Sequence, residues 1–185
     1  GMFGVVLWDE GARRGMLVRD RLGIKPLYYA RSGDLLLFAS ELKSLLASGL
    51  VEPDLDYEAV DAYLTLGFFP GPASPLAGVR KLMPGHRLVV EQGSVRTERY
   101  WSYPEPRPAA GVPEGEWVER VLDKLRESVR LRLMSDVPLG AMLSGGIDSS
   151  LIVALMSEMV EEPVKTFSVG FVESGLDRAV IGDAL

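Results

Sequence analysis

The stretch Ser144-Gly145-Gly146-Ile147-Asp148-Ser149-Ser150 follows the apolar run Leu139 to Leu143 and leads into a helical pattern that extends to about Val160. An apolar strand, a glycine-bearing loop and a helix in that order are the unit from which parallel α/β sheets are built. Each residue type in the loop has a physical use. Gly145 and Gly146 lack a Cβ, so the backbone can take positive φ and come close to a bound group. Successive amides in such a turn form an anion-binding concavity, and the next helix adds its exposed N–H groups and the positive end of its dipole. The hydroxyls of Ser144, Ser149 and Ser150 are further donors. Asp148 repels a phosphate, and its use is to hold Mg²⁺ between protein and pyrophosphate. The alternative is a Ser/Gly turn whose aspartate only caps a helix.

Outward from the loop, Pro163 stops the second helix, and Val164 to Phe171 reads as another strand. The tail from Asp177 to Leu185 reads as the beginning of a helix. Upstream, Val118, Val121, Leu122, Leu125, Val129 and Leu133 recur every three or four residues. They predict an amphipathic helix over Glu116–Met134 whose stripe packs into a core. Before it, Pro104, Pro106, Pro108 and Pro113 with Gly111 and Gly115 mark a boundary over 104–115. The expected division is therefore 1–103, a linker at 104–115, and 116–185.

Residues 1–103 have a different texture. Val5–Trp8, Met16–Arg19, Tyr28–Ala30 and Leu35–Ala39 are short strands separated by turn residues, a pattern of antiparallel hairpins. Ser40 is placed to cap a short helix from Glu41 to Ala47, ended by Gly49, and residues 57–66 form another helix. Arg87–Glu91 and Val95–Trp101 pair through Gln92-Gly93-Ser94. Trp8 and Trp101 read as core aromatics. Arg19-Asp20-Arg21 reads as a charged hairpin pair of small energetic weight, and His86 as a turn residue. Gly1 runs straight into a strand, so neither end reads as a finished domain.

Composition narrows the function. Apolar residues make up 47% of the 185, enough for a folded core. The net charge of −6 argues against a general nucleic-acid binder. With no cysteine and a single histidine, disulfides, thiolate metal sites, cysteine nucleophiles and histidine-rich metal sites are excluded within this chain. No apolar run approaches the roughly 20 residues of a membrane helix, and no leader opens the chain. A cytoplasmic protein without membrane or nucleic-acid partners is expected.

The loop is not a Walker P-loop, which needs a Gly-Lys pair that is absent here. It resembles the PP-loop, SGGxDS, of the N-type ATP pyrophosphatases, which cleave ATP between the α and β phosphates to adenylate a carboxyl or carbonyl group. GMFGVVLWD, RDRLGIKPLYYA, FASELKSLL, PDLD, YLTLGFFPGP, GVRKLMPGH and SDVPLGAMLSGGIDSS are moreover similar, in order, to segments of the glutamine-hydrolysing asparagine synthetases. That resemblance implies an α/β chain in two parts. The first is the antiparallel β-rich end of an N-terminal-nucleophile glutaminase domain. The second is the start of a parallel adenine-nucleotide α-hydrolase-like domain. It implies ATP and Mg²⁺ as cofactors, aspartate and glutamine or ammonia as substrates, and a homodimer as the assembly.

Carried over by position, Ser144, Gly145, Gly146, Asp148, Ser149 and Ser150 bind pyrophosphate, and Asp148 is both the catalytic residue and the metal ligand. Met142 and Leu143 lie against adenosine, with Met142 replacing the family's usual leucine, and Val169 is a second nucleotide contact. A role for Ser40-Glu41 near an ammonia passage is also implied. The family's cysteine nucleophile, its glutamine-binding segments and its SGEGSDE-type loop have no counterpart here, so this chain is expected to be incomplete for catalysis. Two alternatives stand beside this reading: another adenylating amidoligase, such as a β-lactam synthetase or peptide-modifying cyclase, and a non-catalytic nucleotide-binding fragment.

Overall fold

A computed structural model describes residues 1–106 and 111–170 of the chain. It is a mixed α/β structure in two compact units, 1–106 and 107–185. The strand end at Phe171 and the helix start expected over Asp177–Leu185 lie outside the described residues. Among the described residues, no helix is long and apolar enough to cross a membrane.

The amino-terminal unit contains two antiparallel sheets. One has the order β1 (Gly4–Asp9), β2 (Arg14–Arg19), β6 (His86–Glu91), β7 (Ser94–Arg99); the other is β4 (Leu35–Ala39), β3 (Tyr28–Ser32), β5 (Val79–Lys81). The hairpins β1–β2, β3–β4 and β6–β7 follow the alternating pattern of the sequence. Gln92 and Gly93, at φ 51° and 78°, form the two-residue β6–β7 turn whose twist matches its strands. The strand β5 is absent from the sequence reading. A strand of three residues directly after Gly78 carries too short an alternation to register.

Side-chain alternation sorts two cores. Leu17 and Leu88 from the larger sheet meet Leu27, Leu82, Tyr29 and Leu36. On the opposite face of β3, Ala30 and Val79 pack with Leu76 and with Leu45 of α1 (Leu42–Ala47). Leu88 and Leu82 are essentially sealed from solvent, each contributing about 2 kcal/mol by burial. The helix α2 (Tyr57–Leu66) is capped by Asp56, whose carboxylate accepts from the Ala59 amide at 3.0 Å, and is closed by Gly67 at φ 77°.

Several expectations need correction here. Ser40 does not cap α1: the N-cap position is Glu41, with no side-chain cap, and its carboxylate pairs instead with Lys43 at 2.7 Å. Trp8 is not a core residue. It lies on β1, an edge strand exposed on both faces, and is 60% exposed. Arg19 and Asp20 do not form a surface pair. Asp20 is only 1% exposed and its carboxylate accepts from the amides of Leu22, Ile24 and Lys25 at 3.2, 3.0 and 2.9 Å. The Arg19 guanidinium donates to the carbonyls of Lys25, Leu82 and Gly23. The two side chains thus tie the loop 20–25 to the sheets. Gly85, at φ 67°, is fixed beside them, because a Cβ there would lie 2.7 Å from the Trp101 carbonyl.

The second unit consists of α3 (Glu114–Arg132), β8 (Gly140–Met142), α4 (Ile147–Ser157) and β9 (Lys165–Phe167). The strands pair in parallel, Gly140 with Lys165 and Met142 with Phe167, with α4 as the crossover. Val129 of α3 and Leu155 of α4 are buried. The α3 stripe is only partly core: Val118 and Val121 remain exposed among the described residues. The strand before the loop is likewise not buried, with Met142 63% exposed.

Candidate nucleotide-binding loop

The loop 144–150 leaves the carboxyl end of β8 and enters α4, and this position follows from three local features. The Leu143 amide donates to the Phe167 carbonyl at 2.9 Å, extending the β8–β9 ladder to the base of the loop. Ser168 Oγ donates to the Leu143 carbonyl at 2.6 Å, tying the end of β9 to the same residue. Gly145 then turns the chain at φ 80°, and Gly146 is the N-cap of α4 at φ −81°, ψ 159°. Only Gly145 therefore needs glycine for its conformation, a correction to the symmetric reading of the pair. In open α/β sheets, ligands bind outside the carboxyl ends of the strands.

The hydroxyls are spent inside the loop. Ser150 Oγ donates to the Gly146 carbonyl at 2.9 Å. Ser149 Oγ lies 3.1 Å from that same carbonyl, 3.0 Å from Ser144 Oγ, and accepts from the Ser144 amide at 3.2 Å. The backbone is in the opposite condition. No acceptor among the described residues takes the amides of Gly145 or Gly146, and no side chain caps α4. Ile147, Asp148 and Ser149 occupy its first turn, where N–H groups have no intrahelical acceptor. Five consecutive amides at one helix end thus have no acceptor among the described residues, beside an open space around the Cβ position of Gly145. Asp148 is exposed in that first turn; it is not the N-cap.

Of the residues singled out from sequence, Met142, Leu143 and Ser144–Ser150 come together at the end of β8. Val169 follows β9 by two residues and is 69% exposed at the neighbouring strand end. A cleft of about 540 Å³ opens between α3, β8 and α4, with Met142, Asp148 and Ser149 on its wall beside Arg132, Leu133 and Ile152. Sequence reasoning missed Arg132 and Ser168. Arg132 is the exposed last residue of α3, outside the apolar stripe that periodicity marks, and Ser168 carries no motif of its own. His86 remains apart, its Nδ1 donating to the Pro84 carbonyl at 2.8 Å. Among the described residues, no group of three or more acidic or histidine side chains could enclose a metal ion. A cation held by Asp148 would take its other ligands from phosphate and water, as Mg²⁺ commonly does.

Comparison with known proteins gives the class. The glutamine amidotransferase domain family model matches residues 1–101, and the asparagine synthase family model matches residues 120–182. The chain is thus an amidotransferase-type domain followed by a synthase-type segment. Asparagine synthetase [glutamine-hydrolyzing] 1 of Bacillus subtilis (strain 168) is 37% identical over 178 residues, covering 96% of this chain and 28% of that protein. Asparagine synthetase [glutamine-hydrolyzing] 3 of the same organism is 30% identical, covering 94% and 29%. Amidase chry2 of Gibberella zeae is 38% identical over 168 residues, covering 89% and 24%. The solved structure of the allosteric regulatory enzyme of purine biosynthesis aligns with 92% of this chain at 16% identity and a TM-score of 0.28, too low to carry an argument. The chain belongs to the glutamine-hydrolysing asparagine synthetase family, and it spans about a quarter to a third of the length of the curated relatives it matches.

Proposed function

We propose that this chain is the junction of a glutamine-dependent asparagine synthetase, and that its loop 144–150 binds the pyrophosphate part of ATP. In this reading residues 1–103 are the end of a glutaminase domain of N-terminal-nucleophile type. Residues 104–115 are the linker, and 116–185 open the adenine-nucleotide α-hydrolase-like domain. The whole enzyme joins ammonia released from glutamine to aspartate through a β-aspartyl-adenylate, giving asparagine, AMP and pyrophosphate. The single observation that carries the assignment of the site is the run of five unsatisfied amides from Gly145 to Ser149 at the carboxyl end of a parallel strand pair.

The chemistry follows from that donor set. When the aspartate carboxylate attacks the α-phosphorus, the bond to the β,γ-pyrophosphate breaks and negative charge gathers on the leaving oxygens. Amides already held in place by the Ser149 and Ser150 hydroxyl network meet that charge without reorganising, which is the usual source of electrostatic catalysis. Asp148 would hold Mg²⁺ against the same oxygens, where the ion would supply additional neutralising charge. Met142 and Leu143 on one strand end and Val169 on the other would flank the nucleoside.

Asp148→Ala in the full-length enzyme is expected to abolish aspartate-dependent pyrophosphate release while leaving glutamine hydrolysis intact. Retained synthesis in that variant would defeat the assignment.

A further inference from the structure

We propose that the mouth between the two sheets of the amino-terminal unit binds a small, multiply charged oxyanion, gripped by Arg31 and Arg80. The register of β3 and β5 pairs Tyr29 with Arg80, so Tyr29, Arg31 and Arg80 share the face of the small sheet that looks toward the larger one. That face is apolar where Tyr29 and Leu36 meet the first core. Past this contact the sheets part around a cavity of about 470 Å³, lined by Tyr29, Arg31, Gly78 and Arg80 on one side and Val95 and Thr97 on the other.

Two arginines and no acidic residue line this cavity. On the larger sheet Arg87 and Arg96 both reach Glu98 at 2.7 Å, whereas Arg14 and Arg99 have no carboxylate partner among the described residues. Among the described residues, neither Arg31 nor Arg80 has a carboxylate within the 4.0 Å of an ion pair or any hydrogen-bond acceptor. Two like charges on adjacent strands of one face oppose pairing, and a ligand carrying two negative charges reverses the sign of that interaction. Gly78 leaves open space beside Arg31, with nothing within 4 Å of where a Cβ would stand. The Thr97 hydroxyl supplies a neutral donor from the opposite wall. A guanidinium fork matches the paired oxygens of phosphate better than a lysine does. The ligand class is therefore a phosphate group, free or borne by a nucleotide, in a unit that does not contain the loop 144–150.

The test is a titration of the full chain, labelled for its amide and arginine Nε–H resonances, with inorganic phosphate in one arm and AMP in the other. Sodium chloride at matched ionic strength is the reference. Expected are saturable shifts at Arg31 Nε, Arg80 Nε and the Thr97 amide. Arg31→Ala and Arg80→Ala should each weaken them by about tenfold or more, and Arg31→Lys by less. Tighter binding of AMP than phosphate at these resonances assigns a nucleotide, and equal binding assigns the free ion; both support the proposal. Shifts reproduced by chloride overturn it, as do saturable shifts confined to residues 144–149. Both arginines are exposed, so unchanged spectra elsewhere in the alanine variants separate loss of the site from loss of the fold.

Discussion

Asp20 shows how a charged residue can be structural without an ion pair. Burial alone would push its carboxyl up, but the amides of Lys25, Ile24, Phe3 and Leu22 outweigh that and hold it below the usual carboxylate range. A depressed native value means that the contribution is complete above about pH 4, the value of an unfolded aspartate. It is lost as pH falls through the lowered native value. Asp20→Ala leaves several amides without an acceptor and is expected to cost on the order of 3 kcal/mol. Thermal unfolding of the two proteins from pH 7 down to pH 2 checks this: the gap in Tm should close in acid, and a gap independent of pH would disprove the linkage. From sequence, Asp20 shows only a charge between two charges. Its burial depends on Pro84 and Gly85 arriving from more than sixty residues away, which no local pattern records. The conformation of the loop 144–150 was legible for the opposite reason: its turn at Gly145 and its entry into α4 at Gly146 are made by its own backbone, so the order of residue types already contains the geometry.

At the level of the elements, hairpins and helices follow from period and punctuation. Asp56 and Gly67 bracket α2 at the residues where capping rules place them. What escaped were elements defined by their neighbours. The strand β5 exists because β3 offers it an edge, and the partial exposure of the α3 stripe is set by what packs on it rather than by its spacing. The pair β8–β9 makes the site depend on Gly140, since a Cβ there would stand 2.5 Å from the Phe167 ring and 3.0 Å from the Lys165 carbonyl. The ring can swing aside; the backbone carbonyl cannot. Gly140→Ala is therefore expected to part the strands at a cost of about 1–3 kcal/mol. Hydrogen exchange at the Leu143 amide, whose acceptor is the Phe167 carbonyl, reads this directly. Faster exchange at Leu143 than in the parent chain is the expected result, and unchanged protection would show that the pair tolerates the added methyl.

For the molecule as a whole, the chain matches the glutamine amidotransferase domain over 1–101 and asparagine synthase over 120–182, and the proposed function assigns a separate chemistry to each. One would release ammonia and the other would make the acceptor electrophilic, and only the second has its proposed anchor among the residues described here. That anchor is a set of backbone donors, so its test is an observation of the backbone. Amide resonances of the ¹⁵N-labelled chain, followed as ATP is added with Mg²⁺, should shift most at Gly145, Gly146, Ile147, Asp148 and Ser149, with Asp148→Asn weakening the Mg²⁺-dependent part about tenfold. Binding of ATP that leaves those five amides unmoved while others shift would show that the loop is not a phosphate cradle.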